Sequence, residues 1–167
     1  MKKILYLCVS LFLSFSAGAQ TGECSQSPES IDPCSLDAAE KLSAIFPALQ
    51  KAEKQSVGLQ TVCNYLDGKG IPALIISVSK STTTVRETLS MLGPGYVIED
   101  IDSLGDEAAI AIQQENPKFG LKEGIAALHV KKKNLSLNFS FFRINLIPTD
   151  EEFEDMRMLA AEIIEKL

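Results

Sequence analysis

Residues 57–79 read VGLQTVCNYLDGKGIPALIISVS. The stretch divides about Asp67-Gly68-Lys69-Gly70, a dense turn signal. Before the turn, Val57 to Tyr65 sets Leu59, Thr61, Cys63 and Tyr65 on one alternating face, the period of a strand. After it, Ile71 to Ser79 is rich in β-branched residues, with Pro72 at the start of the run, where a missing amide donor is tolerated. Together they predict a β-hairpin. The second arm is almost continuously apolar from Ala73 to Val78. A strand with no wet face is covered on both sides, so it belongs in the middle of a sheet.

Toward the C-terminus, Thr84-Val85-Arg86-Glu87 is a capping box, and the helix it opens runs to Met91 or Leu92 before Gly93-Pro94-Gly95. Tyr96 to Ile101 and Ala108 to Gln113 read as strands, and Asn116 to Gly124 reads as loop. A second hairpin follows, Ile125 to Val130 and Leu135 to Ile144, about Lys131-Lys132-Lys133-Asn134. In its second arm Leu135, Leu137, Phe139 and Phe141 alternate with Ser136, Asn138, Ser140 and Phe142, which gives one buried and one wetter face with Phe142 out of pattern. A second capping box, Thr149 to Glu152, opens a long last helix with the stripe Phe153, Met156, Leu159, Ala160, Ile163, Ile164 and Leu167. Toward the N-terminus, Pro33-Cys34-Ser35 predicts a helix start with Ser35 as cap and Asp37 in the first turn, ending near Ile45 because Pro47 follows. Ala48 to Ser56 is helix-prone and charged, and reads as an extra helical turn. The order of elements implies an α+β domain, an antiparallel sheet packed against helices and finished by a long C-terminal helix.

The opening of the chain has a different character. Met1-Lys2-Lys3 precedes an uncharged apolar run from Ile4 to Phe15, and Ala17-Gly18-Ala19 supplies small residues for cleavage. These are the three parts of a secretory signal, too short for a membrane span. The expected organisation is a signal peptide over 1–19, a flexible lead over 20–32 and a single domain over 33–167. Loss of Lys2 and Lys3 takes the formal charge from -6 to -8. That balance disfavours nucleic acid and anionic lipid as partners. No later stretch approaches membrane-spanning length, and the expected location is periplasmic or secreted. Export leaves Cys24, Cys34 and Cys63 in a compartment that permits disulfides. Cys34 and Cys63 both fall in ordered elements, which favours that pair, while spacing alone leaves all three pairings open.

Chemistry-bearing clusters are few. Glu99-Asp100-Ile101-Asp102 continues into Asp106-Glu107. Counted from Asp100 it imitates a calcium loop, but Leu104 and Ala111 stand where oxygen ligands are required, so it reads as a solvated turn. Ser77, Ser79, Ser81 and Thr82 to Thr84 crowd the end of the central strand without a nucleophile elbow. His129 is the sole histidine and lies in a strand. Lys131 to Lys133 is the one basic run, on a hairpin tip. No phosphate loop, dinucleotide fingerprint or metal cluster is present, so no cofactor, metal or catalytic residue is assigned.

Asp32-Pro33-Cys34-Ser35-Leu36, Cys63-Asn64-Tyr65, Leu104-Gly105-Asp106-Glu107-Ala108 and Leu159-Ala160-Ala161-Glu162-Ile163 occur in that order. In this the chain resembles a family of small secreted lipoproteins of unknown function, common in actinobacteria, over residues 32 to 167. The resemblance implies a Cys34–Cys63 disulfide and a curved antiparallel sheet backed by helices, and carries no catalytic residues. The chain departs from the family in lacking the lipid-attachment cysteine.

The expected function is a non-catalytic binding module, not an enzyme, whose ligand is a protein, a glycan or a small apolar molecule. Room between the final helix and the sheet would favour the apolar molecule. The alternative is a periplasmic inhibitor or immunity-type protein that blocks a basic enzyme. A hydrolase using the Glu99 to Glu107 carboxylates would need two of them facing across a cleft.

Overall fold

The protein is described by a computed structural model over residues 31–36, 38–57, 60–142 and 146–167. The signal expected over 1–19, most of the expected lead, Asp37 and Leu59 lie outside the described residues. A 3-10 turn, Pro33–Ser35, precedes α1 (Ala39–Ile45) and the strands β1 (Leu49–Val57), β2 (Gln60–Asp67) and β3 (Pro72–Lys80). The short α2 (Val85–Ser90) leads to β4 (Tyr96–Asp100), β5 (Glu107–Gln113), β6 (Gly124–Lys132) and β7 (Leu135–Phe141), with α3 (Asp150–Lys166) last.

Among the described residues these strands make one seven-stranded antiparallel sheet in the order β1-β2-β3-β7-β6-β5-β4. The topology is two meanders. The first walks outward-in from β1 to β3. The chain then crosses by way of α2 to the far edge and walks back from β4 to β7, which pairs with β3: Ile76 lies opposite Phe139 and Val78 opposite Leu137. The fold is α+β, as the element order implies.

β3 is internal, flanked by β2 and β7, which accounts for its apolar run. Its Leu74 and Ile76 face the main core with Leu128, Phe139, Met156 and Ile164, all fully buried. α3 covers this inner face with the stripe read from its sequence, from Phe153 to Ile164. Thr149 and Glu152 form the reciprocal capping box, and three acidic residues in the first turn complement the helix dipole. α1 lies beside α3, and Lys41 pairs with Glu162 between them.

Two local expectations are corrected. Ala48 to Ser56 is a strand, not a helical turn. Its positions 50–56 are exposed on both faces, because β1 is the sheet edge, so no apolar alternation marked it. Pairing with β2 overrides its helix propensity. The Pro33 segment is a 3-10 turn separate from α1, and the cap is Asp32, whose Oδ1 accepts from the Cys34 amide at 3.0 Å. Asp32 also pairs with Lys54 of β1 at 2.7 Å, and that hydrogen bond, then the one from Cys34, holds its carboxyl below the usual range. Ile31 packs on the core as well.

Cys34 and Cys63 are disulfide-bonded with their Cα atoms 5.1 Å apart, tying the 3-10 turn to β2. The bridge spans a sequence separation of 29. Closing such a loop restricts the unfolded chain, so Cys34→Ser with Cys63→Ser is expected to lower stability by about 3 kcal/mol, read from urea denaturation of both proteins.

Candidate functional site

Alternation along the strands sends one set of side chains under α1 and α3 and the other set to the opposite face. On that opposite face Val62, Ser77, Asn138, His129 and Ala109 stand in one row across five strands, each the register partner of the next. α2 lies over the β4–β5–β6 side of this face. Its Val85 and Leu89 bury against Ala109, Ala111 and Ala127, whose small side chains let the helix sit close. The packing of α2 is concentrated on β4, β5 and β6, and the step down from helix to sheet toward β7, β3 and β2 forms a trough.

The trough has two compartments. The apolar one, about 710 Å³, is walled by Ile71, Leu92, Tyr96, Leu121 and Phe142. The polar one, about 260 Å³, is lined by Gln60, Ser77, Ser79, His129 and Asn138. Leu92, Ala127 and Ser140 line both, so the two lie side by side. Among the described residues, none that lines either compartment is charged. Ile71, Leu92 and Phe142 are each more than two-fifths exposed, unusual for side chains of that size gathered in one place. The room under the final helix that would favour an apolar molecule is not found among the described residues, where Met156, Ala160 and Ile164 of α3 are fully buried against the sheet; this trough is on the other face, beside α2.

His129 is the group that stands out. It is 5 % exposed, and its Nε2 finds no hydrogen-bond partner among the described residues. Burial, above all, lowers its pKa, with Glu107 opposing and Lys131 adding to the effect, so the ring is neutral at neutral pH. A buried ring nitrogen without a partner carries a desolvation cost that a ligand can relieve. Beside it, Asn138 donates to Ser140 Oγ at 2.9 Å. Ser77 lies two strands from His129, roughly 10 Å away by strand spacing, outside the reach a general base needs for its nucleophile.

The other candidates have local work. Asp100 pairs with Arg86 at 2.7 Å. Asp106 Oδ2 accepts from the Lys133 amide at 2.6 Å, and Glu107 Oε2 accepts from the Val85 amide, at the start of α2, at 3.0 Å. The acidic turn therefore fastens the β4–β5 connection to α2 and to the β6–β7 hairpin, and none of its carboxylates lines the trough. Among the described residues no group of His, Cys, Asp and Glu is arranged to hold a metal. The lysine run is likewise engaged: Lys131 donates to the Thr83 carbonyl at 2.8 Å, and Lys132 pairs with Glu165 of α3 at 2.6 Å. On the inner side Tyr65 edges a recess of about 370 Å³ between α1 and β1. Its buried hydroxyl has no partner among the described residues, and burial pushes its pKa up to about 12.

No protein-family profile, curated protein or solved structure matches this chain. The trough is therefore weighed on its own geometry. Reading the sequence had singled out Ser77, Ser79 and His129 without bringing them together. Leu92, Ile71 and Asn138 carried no signal of a site. Phe142, out of step with its strand, did.

Two measurements check this account. The unfolded chain takes up a proton at His129 near the ordinary value of 6.5, before the folded one does. Its contribution to stability is thus full above that pH and is lost as pH falls toward the depressed folded value. The urea midpoint should drop more steeply from pH 7.5 to pH 5.5 in the natural protein than in His129→Phe. Gly105 has φ +63, and a Cβ there would lie 2.5 Å from the Lys131 carbonyl oxygen. Gly105→Ala should cost at least about 1–2 kcal/mol from the left-handed backbone alone, measured by the same denaturation.

Proposed function

We propose that the protein is a non-catalytic periplasmic or secreted binding module that holds a small, largely apolar ligand in the trough beside α2. The observation that carries this reading is the joining of an exposed apolar wall, Ile71, Leu92 and Phe142, to an uncharged polar floor with an orphaned His129 nitrogen. A cavity of several hundred cubic ångströms, apolar with a few convergent polar groups, has the character of a small-molecule site.

Export fits the chemistry of the domain. A disulfide persists where thiols are not kept reduced, and among the described residues no helix is long and apolar enough to cross a membrane. We further propose that residues 1–19 are the signal removed on export, and that the chain is akin to the small actinobacterial lipoproteins it resembles. A curved sheet belongs to the same reading. Register shifts at Leu49/Lys51, Tyr65/Leu66 and Ala111/Ile112 support it, because an extra residue in one strand bends it.

The neutral fluorescent probe N-phenyl-naphthylamine tests the proposal. Its emission should rise and saturate at one probe per protein. Leu92 is exposed, so Leu92→Lys should leave thermal stability unchanged while weakening probe binding about tenfold, the effect of placing a charge in an apolar site. Absence of saturable binding overturns the reading.

A further inference from the structure

Resting on the reading of the trough as a ligand site, we infer that it selects an uncharged amphiphile: an alkyl or aryl tail in the apolar compartment and a neutral, hydroxyl- or amide-bearing head hydrogen-bonded to His129.

Three observations converge. The two compartments share Leu92, Ala127 and Ser140, so one molecule can occupy both at once, apolar at one end and polar at the other. The polar end has unspent hydrogen-bonding capacity, because His129 Nε2 is buried there without a partner among the described residues. A neutral imidazole nitrogen accepts or donates according to tautomer, and a hydroxyl or amide can answer either. Finally, among the described residues the lining offers no countercharge. A carboxylate or ammonium head would lose its hydration and find, among the described residues, only serine, threonine, glutamine, asparagine and neutral histidine in return. Glu107 and Lys131, the charges that act on His129, lie in another row of the sheet with 3.8 Å between their charged groups, and neither lines the compartment. A neutral head gives up far less hydration and recovers it through hydrogen bonds.

Calorimetric titration of the natural, disulfide-bonded protein at pH 7.5 with three eight-carbon probes below their micellar concentrations tests the head-group rule. The probes are octyl glucoside, octanoate and octyltrimethylammonium. Octyl glucoside should bind at least tenfold more tightly than either ion, since one hydrogen bond to a buried polar group and one avoided desolvation are together worth about that factor or more. His129→Phe should weaken octyl glucoside about tenfold, and His129→Gln should restore much of the loss. Comparison of the three heads on the natural protein needs no variant to fold. Equal affinity for all three, or preference for an ion, overturns the head-group rule alone if N-phenyl-naphthylamine still saturates. If that probe does not bind, the trough reading and this inference fall together.

Discussion

The seam between β3 and β7 joins two halves of the sheet that are each built from neighbours in sequence. Residues 74–80 meet residues 135–141 there, the longest-range strand pairing among the described residues. Its register sets Ile76 against Phe139 on the inner face and Ser77 against Asn138 on the outer one. Because side chains alternate with a period of two, a slip of β3 by one residue would bring Ser77 and Ser79 into the core and turn Leu74 and Ile76 outward. The inner face prevents this: Leu74, Ile76, Leu137 and Phe139 are all fully buried against the helical layer. The trough is thus a by-product of core packing one layer away. Its polar residues are adjacent because the apolar residues behind them have no other low-energy arrangement.

The same logic separates the two helical covers. α3 presents a broad apolar stripe and covers the larger residues of the sheet. α2 is barely two turns long, and it is held by its own capping box, by Glu107 at its first amide and by a bed of alanines. A helix of that length cannot cover seven strands. The face it leaves open is where a binding site can be built without dismantling the core.

How much of this was legible depended on whether local sequence and burial agreed. Ala73 to Val78 and the stripe on α3 are dictated by burial, and both were readable from pattern alone. The capping boxes at Thr84 and Thr149 are local hydrogen-bond chemistry and were readable for the same reason. β1 was not, because an edge strand exposed on both sides has no periodicity to read and its lysines and glutamate favour helix. Asp32 as the cap was missed because Ser35, three residues on, carries an equally plausible oxygen; its hydroxyl instead donates to the Asp32 carbonyl. The trough was least visible. Its parts come from α2 and from every strand from β2 to β7, and only strand order, which no local signal encodes, brings His129 within one strand of Asn138 and two of Ser77.

An open sheet has two free borders, and both are guarded by charge. β1 carries Lys51, Glu53 and Lys54 along its length, and β4 ends in Glu99-Asp100 after only five residues. Side chains of this kind make it costly to dock a second strand on either border, since each must be desolvated or set against its like. Crowded molecules of this protein are therefore poor templates for one another along either border.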